Sequence, residues 1–368
     1  MMRARRSFPG VLPRLAGACL SVTLCGMAGA QAITPVFAVA DHPVVEDHYP
    51  ARQVMFAGDV TGLPDLVYAQ PAGFRPLTLD VYLPPRSQKP PKGGFPLILH
   101  IHGGGWSAGH SRHSGALSDF PAVLASLAAR GYVVASLNYR LSGEAPFPAA
   151  EKDVKTALRW LRARAADYRM DPARAGVWGG SAGGHLAALA AVSCKDAALD
   201  PVGALRPGAI DGEGRPLPAN PLAPLANVSD CVQAAVTWYG VFDFETIDVQ
   251  AGRPPAGPGG NAQTAFLGCT GTDCAAAIRA ASPIRYVDPS DPPMLLIAGM
   301  ADRTVPYQQT VQFEGALKAA HVPVETILIP AVDHSFIGKT PAATRDATLK
   351  ALNATFAFFD KMLRNNEK

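Results

Sequence analysis

Short apolar runs alternate with amphipathic stretches along most of the chain. Runs typical of β-strands occur at 65–68, 77–83, 97–102, 132–137, 175–178, 234–239, 294–298 and 324–329. Apolar residues recur at helical spacing over 116–130, 148–168, 307–320 and 341–363. The first two strands are expected to pair antiparallel through a turn near Pro71 and Gly73. The later alternation of strand and helix predicts an α/β fold whose mostly parallel sheet is covered by helices on both faces.

Two long segments interrupt this alternation. Residues 194–232 and 245–283 are rich in proline, glycine, aspartate and alanine, without a clear period. Loops of this length inside a compact domain usually either have a function or are disordered. They are interpreted as insertions that partly cover the functional site of a single domain spanning 33–368.

Composition favours a folded protein with a large core. The chain has 368 residues, of which 48% are hydrophobic and 17% are charged. The formal net charge is +3, but four arginines precede the first acid, Asp41. Removing these 4 from the 33 basic residues leaves 29 against 30 acidic residues, a net charge of −1. No excess of basic residues then points to nucleic-acid binding.

The N-terminal residues have the pattern of an export signal. A basic segment precedes the apolar run Leu15–Met27, and A-x-A cleavage sites follow within 28–32. Residues 1–32 are therefore predicted to be removed on export to the periplasm or the medium. Arg5 and Arg6 also resemble a twin-arginine signal, so the export route stays open. A run of about thirteen apolar residues is short for a membrane anchor.

The cysteines fit an oxidising compartment. Four remain after signal removal, and an even set in an exported protein predicts two disulfides. Of three connectivities, we favour Cys194–Cys231 and Cys269–Cys274. No C-x-x-C or H-E-x-x-H pattern occurs, so neither a metal site nor a cofactor is predicted.

A glycine-rich turn at 179–184 follows the short strand that begins at Ala175. The spacing Gly179-x-Ser181-x-Gly183 is that of a nucleophile elbow, in which a serine stands on a strained turn between strand and helix. Small neighbours are needed there because the turn is tight. Ser181 is therefore predicted to be a nucleophile, with an ordinary glycine and serine turn as the alternative.

A base and an acid for Ser181 are expected at the carboxyl ends of later strands, where neighbouring parallel strands bring residues together. His334 follows the strand predicted at 324–329, and Asp302 follows the one at 294–298. The order nucleophile, acid and histidine is that of a Ser–His–Asp triad built on such an elbow. Asp302 in a plain turn and His334 as a surface residue are the alternatives.

Two other carboxylates compete with Asp302. Asp243 follows the strand predicted at 234–239 and is the second choice. Asp333 is the direct neighbour of His334, and adjacent side chains usually point apart, so Asp333 ranks lower.

A second glycine-rich loop, His102–Trp106, follows the strand predicted at 97–102. Three consecutive glycines let backbone N–H groups approach a substrate oxygen closely. Gly104, Gly105 and Ala182 are predicted to form an oxyanion hole, with the Trp106 amide as an alternative.

Two side chains near these loops are candidates for the substrate pocket. They are the indole of Trp106 and the imidazole of His185 on the helix after the elbow. Core packing of Trp106 and a structural role for His185 are the alternatives.

These motifs together resemble one enzyme group. They are HGGGW (102–106), NYRLSGEAPFPAAEKDV (138–154), GGSAGGH (179–185), GMADRTVP (299–306) and DHSF (333–336). The set resembles α/β-hydrolase esterases of the hormone-sensitive-lipase and bacterial feruloyl-esterase-like (BD-FAE) group. Many hormone-sensitive-lipase relatives have an aspartate after the serine and a helical N-terminal cap. Here Ala182 follows the serine and the N-terminal part is strand-like, which favours the feruloyl-esterase-like branch.

The resemblance implies an α/β-hydrolase fold and a carboxylic ester hydrolase that needs no cofactor. Its substrate would be a small-molecule or polymer-linked ester. A serine peptidase or an arylformamidase on the same fold, and an exported binding module without catalysis, are the competing interpretations. The binding module is disfavoured because no triad member is missing.

Overall fold

A computed structural model describes residues 52–71, 73–194, 196–201, 223–254, 261–269 and 274–364 of the chain. The predicted export signal lies outside these residues, and so do parts of both predicted insertions. None of the helices in the described ranges combines the length and the apolarity that crossing a bilayer requires.

Nine strands of the described chain form one sheet, in the order β1-β2-β3-β5-β4-β6-β7-β8-β9. They are β1 (Val54–Phe56), β2 (Val60–Ala69), β3 (Leu77–Leu83), β4 (Phe95–Ile101), β5 (Val133–Leu137), β6 (Met170–Gly180), β7 (Ala234–Trp238), β8 (Met294–Gly299) and β9 (Val324–Ile329). The first three strands pair antiparallel, as do β3 and β5. All pairs from β5 to β9 are parallel. This topology confirms the predicted mostly parallel sheet of an α/β-hydrolase.

The helices connect the strands and cover both faces of the sheet. They are α1 (Phe120–Ala129), α2 (Ala149–Ala163), α3 (Ala182–Val192), α4 (Ile247–Gln250), α5 (Ala262–Leu267), α6 (Ala275–Ala281), α7 (Gln308–Ala319) and α8 (Pro341–Phe359). Helices α2, α3 and α7 contribute to one apolar cluster, whereas α1 and α8 contribute to another.

Strand β4 shows why the sheet lies between the two clusters. All seven of its residues are buried. Leu97 and Leu99 belong to the cluster with α2 and α3, and Ile98 belongs to the cluster with α1 and α8. Successive side chains of a strand point to opposite faces, so an uninterrupted apolar run is what a strand between two helical layers needs.

The structure differs from the sequence prediction mainly in its short elements. Strand β1 was not predicted, because it has three residues at the sheet edge, none of them buried. The second insertion contains α4, α5 and α6, which have four to seven residues and are too short to show a helical period. The helix predicted to reach residue 168 ends at Ala163.

The first insertion is fixed where it leaves and rejoins the sheet. A disulfide joins Cys194 to Cys231, and the ammonium group of Lys155 donates to the carbonyl oxygen of Ser193 over 2.5 Å. Arg159 bonds the carboxylate of Asp230 over 2.6 Å. A charged network and a covalent link therefore hold the two ends together.

A second disulfide joins Cys269 to Cys274, between α5 and α6. Both pairs are those favoured from the sequence. Within the described ranges, one group of three metal-ligating side chains occurs, Cys194, Asp230 and Cys231. Its two sulfurs are bonded to each other, so neither is the thiolate that a metal would bind.

Candidate active site

Ser181 stands between β6 and α3 with backbone angles φ 56° and ψ −122°. Its N–H donates to the carbonyl oxygen of Trp238 over 2.9 Å, which ties the turn to β7. A Cβ on Gly183 would lie 2.0 Å from the carbonyl oxygen of Ile101, so the turn packs directly against β4. A strained serine held between two strands has the geometry of a nucleophile elbow.

Three side chains form a hydrogen-bonded chain at this turn. The Nε2 atom of His334 lies 2.9 Å from Oγ of Ser181, and its Nδ1 atom lies 2.8 Å from Oδ2 of Asp302. The His334 side chain is 19% exposed, whereas that of Asp302 is fully buried. These are the contacts required of a nucleophile, a base and an orienting acid.

The position of Asp302 is fixed by its own turn after β8. Its Oδ1 atom accepts hydrogen bonds from the N–H groups of Thr304 and Val305 over 2.9 and 2.8 Å. Oδ2 is left for His334. The carboxylate therefore has three donors and a single orientation.

The two competing carboxylates have other partners. Asp243 accepts a hydrogen bond from the side chain of Gln312 over 2.8 Å. Asp333 forms an ion pair with Arg303 over 2.6 Å. Hydrogen bonds from backbone N–H groups, first that of Arg303, and from the Arg303 side chain lower the pKa of Asp333 to about 2. Neither carboxylate contacts the His334 ring, so Asp302 is its partner.

The glycine-rich loop after β4 lies against the nucleophile. A Cβ on Gly103 would be 3.4 Å from that of Ser181. Gly104 has φ +115°, and a Cβ there would lie 2.2 Å from the carbonyl oxygen of Ala108, so only glycine fits. No group in the described chain accepts a hydrogen bond from the N–H groups of Gly104, Gly105 or Ala182. These donors remain free for a ligand.

A cavity of about 370 Å³ opens over Ser181. Its wall includes Gly103, Gly104, Gly105, His113, Ser114, Ser181, Tyr239, His334 and Ser335. The loop after β4, the elbow, the end of β7 and the loop of residues 330–337 after β9 (the histidine loop) therefore share one space.

The structure corrects the pocket prediction for Trp106 and His185, which are 4% and 0% exposed and do not line this cavity. The Trp106 ring stacks on Phe266 of α5, with centroids 4.6 Å apart. Its Nε1 atom donates to Nδ1 of His185 over 3.1 Å. Both side chains belong to the core beneath the loop, because the second insertion supplies aromatic partners that the sequence pattern did not reveal.

Tyr239 is a cavity residue that the sequence prediction missed. Its ring centroid lies 4.7 Å from that of His334. The sequence pattern identifies this residue only as the end of a buried strand. Its place at the carboxyl end of β7, next to the elbow strand, is the signal that could have identified it.

The model of the BD-FAE family matches residues 79–317, more than half of the chain. The chain belongs to the BD-FAE family. The match extends from β3 to α7, and so includes the glycine-rich loop, the elbow and Asp302.

This BD-FAE protein also resembles curated esterases of Mycobacterium tuberculosis (strain ATCC 25618 / H37Rv). It is 28% identical to esterase LipQ over 303 residues, which is 78% of this chain and 60% of LipQ. It is 30% identical to the probable carboxylic ester hydrolase LipM over 254 residues, 68% of this chain and 52% of LipM. The chain spans between half and two thirds of the length of these relatives.

Solved structures give the same fold. A truncated carbohydrate esterase from gut microbiota has a TM-score of 0.63 at 26% identity, covering 82% of this BD-FAE chain and 95% of that one. Propionate-bound esterase 2 of Thermogutta terrifontis has a TM-score of 0.58 at 25% identity, covering 81% and 93%. The predicted esterase resemblance is thereby confirmed.

Proposed function

We propose that this BD-FAE protein is an exported serine hydrolase that cleaves carboxylic esters through an acyl-enzyme. The observation that carries the proposal is the hydrogen-bonded chain from Ser181 through His334 to Asp302, beneath a cavity whose wall includes Gly104 and Gly105. Its similarity to esterase LipQ, to the probable carboxylic ester hydrolase LipM and to the Thermogutta esterase supports the same reaction class.

In the first half of the reaction, Oγ of Ser181 attacks the ester carbonyl while its proton passes to Nε2 of His334. Asp302 holds Nδ1–H and stabilises the imidazolium that forms. The carbonyl oxygen becomes an oxyanion, which accepts hydrogen bonds from the N–H groups of Gly104, Gly105 and Ala182. The C–O bond then breaks, and the alcohol leaves with the proton from His334.

In the second half, water replaces the alcohol in the cavity. His334 takes a proton from this water as the water oxygen attacks the acyl carbon of the ester on Ser181. Collapse of the second oxyanion releases the carboxylic acid, and the proton on Nε2 returns to Oγ of Ser181. No cofactor takes part in either half.

Short-chain or hydroxycinnamoyl-type esters are the proposed substrates. The cavity of about 370 Å³ lies near the lower end of the range for small-molecule sites, which supports a small acyl group. Tyr239 provides an aromatic face in its wall, which supports a planar acyl group. Propionate in the esterase 2 neighbour supports the first class.

Export is proposed from the N-terminal residues and is supported by the two disulfides. Such bonds persist in oxidising compartments and are rare in reducing ones. The direct test of export is whether the full-length protein is found in the periplasm in a processed and active form.

Ser181→Ala tests the proposed reaction. The variant should lose hydrolysis of p-nitrophenyl acetate while its circular dichroism spectrum and melting temperature stay within the range of the wild type. A fluorophosphonate probe should label the wild type at Ser181 and leave the variant unlabelled. Unchanged turnover in the Ser181→Ala protein would refute the proposal.

A substrate panel tests which acyl groups are preferred and whether esters are cleaved faster than amides. Wild-type protein is assayed with acetyl, butyryl, long-chain and hydroxycinnamoyl esters, and with an aryl formamide and a peptide amide as controls. Esters of acetate, butyrate or hydroxycinnamate should be cleaved faster than both amides. Preference for either amide would instead support the formamidase or peptidase interpretation.

A further inference from the structure

Tyr239 is a buried aromatic residue of the cavity wall that the proposed reaction does not use. It follows β7 directly and has φ 38°, a conformation that residues other than glycine rarely adopt. The residue is 3% exposed. A strained, buried residue beside reacting groups is a candidate for a role in the site.

The ring of Tyr239 lies between the elbow and the histidine. On one side, a Cβ added to Gly180, the residue before Ser181, would be 3.1 Å from the ring. On the other side, the imidazole of His334 lies at a centroid distance of 4.7 Å, with the planes inclined at 60°. This is a favourable edge-to-face arrangement. One side chain therefore touches both the turn with the nucleophile and the base.

The backbone at Tyr239 is anchored on both sides. Its N–H donates to the carbonyl oxygen of Ile297 in β8 over 2.7 Å. The preceding residue, Trp238, accepts the hydrogen bond from the N–H of Ser181. The segment that carries the ring is thus fixed to the elbow and to the strand that leads to Asp302.

The histidine loop is bound to the same ring. Phe336 packs on it with a centroid distance of 4.8 Å and planes at 74°. The loop needs such support, because Ala331, Ser335 and Phe336 all have φ of 59°. Burial raises the pKa of the Tyr239 hydroxyl.

We propose that Tyr239 is a positioning residue, whose ring holds the imidazole of His334 in reach of Ser181. The inference rests on the proposed ester hydrolysis. It adds the residue that maintains the distance between base and nucleophile through the four proton transfers of the reaction. Contact with the ring is the main element, since the ring lies against both His334 and Gly180.

Tyr239→Leu and Tyr239→Phe separate ring from hydroxyl. Removing the ring leaves His334 without its neighbour, and a misplacement of about 1 Å can cost about 100-fold in rate. The expected loss in kcat/KM for Tyr239→Leu is therefore about 10- to 100-fold. Tyr239→Phe keeps the ring and should stay within about 3-fold of the wild type, a rescue by the conservative variant.

The leaving group provides a readout that loss of stability alone would not move. An alkyl alkoxide needs a proton from His334 to leave, whereas p-nitrophenolate leaves without one. Tyr239→Leu should therefore lose several-fold more kcat/KM toward an alkyl ester than toward the p-nitrophenyl ester of the same acid. Equal losses on both esters would overturn the inference.

Tyr132→Leu is the matched control. Tyr132 is also buried, and its hydroxyl bonds Asp360 over 2.9 Å, but it precedes β5 at the opposite end of the sheet from the cavity. This variant should lose folding stability in the same way and show equal effects on the two esters. If Tyr132→Leu matches Tyr239→Leu in leaving-group preference, the inference fails.

Two observations keep the inference separate from the proposed function. If the wild type cleaves no ester, only the proposed function is contradicted. The position of His334 can then still be followed through its imidazole N–H proton by NMR. That proton, held by Asp302, should exchange faster with water in Tyr239→Leu than in the wild type or in Tyr132→Leu. An unchanged exchange rate would contradict the inference.

Discussion

The indole of Trp106 donates a hydrogen bond to Nδ1 of His185, and Nε2 of His185 lies 2.7 Å from the carbonyl oxygen of Ala281. A carbonyl only accepts, so Nε2 carries the proton and the ring is neutral. Burial lowers the pKa of His185 to about 4. One neutral imidazole thereby connects the glycine-rich loop, α3 and the end of α6.

Folding stability should therefore depend on pH through His185. Its folded pKa of about 4 lies below the ordinary value of 6.5, so the unfolded chain binds the proton first as pH falls. The resulting loss of stability begins near pH 6.5 and continues toward pH 4. Over that window the shift corresponds to about 3 kcal/mol.

His185→Gln isolates this contribution in urea unfolding at pH 7.5 and pH 4.5. The other titrating groups are common to both proteins and cancel. The variant should be less stable than the wild type at pH 7.5, and the difference should shrink at pH 4.5. A difference that is the same at both pH values would contradict the neutral imidazole.

The choice of acid can be tested by three asparagine variants. Asp302→Asn should lower kcat by roughly 10³- to 10⁴-fold, because the imidazole then loses its orienting carboxylate. Asp333→Asn and Asp243→Asn remove carboxylates that bind Arg303 and Gln312, so their kcat should stay within about 10-fold of the wild type. A large loss restricted to Asp243→Asn would move the acid to β7.

The glycine loop should be sensitive to a single methyl group. In Gly104→Ala the new Cβ would meet the Ala108 carbonyl and the backbone would be strained, which displaces a proposed oxyanion donor. Loss of one such donor costs about 10²- to 10³-fold in kcat. Gly143→Ala is the control, since nothing lies within 4 Å of its Cβ position. Steady-state kinetics on p-nitrophenyl acetate distinguish the two.

The two disulfides should contribute unequally to stability. Cys194–Cys231 closes a sequence separation of 37 residues and Cys269–Cys274 one of 5. On the chain-entropy model these loops correspond to about 4 and about 2 kcal/mol. Denaturant unfolding of the paired serine variants Cys194→Ser/Cys231→Ser and Cys269→Ser/Cys274→Ser gives the comparison. Equal losses would contradict the loop-length argument.

The long elements and the main site residues were predictable from local patterns. Strand β4 is a continuous apolar run, and helix α2 carries an apolar stripe, so both types were recognised within a few residues. Ser181, Asp302 and His334 each follow a strand, and parallel strands end at one sheet edge. Sequence order therefore indicated which side chains would meet.

Short elements and buried neighbours were not predictable in this way. Helix α5 has only six residues, yet it carries Phe266, on which the ring of Trp106 stacks in the core. Tyr239 and His334 are far apart in sequence, and only packing brings their rings together. Partners of this kind depend on contacts between distant segments, which no periodicity records.

By itself, the sequence determined the sheet, the elbow and the order of Ser181, Asp302 and His334, because apolar period and glycine spacing act over a few neighbouring positions. The sequence ranked Asp302 above Asp243 and Asp333, and the tertiary structure shows that Asp302 binds His334. Only the tertiary structure decided that Trp106 and His185 lie in the core and that Tyr239 lies beside His334. Those outcomes depend on which side chains meet after the second insertion and the histidine loop have packed against the sheet.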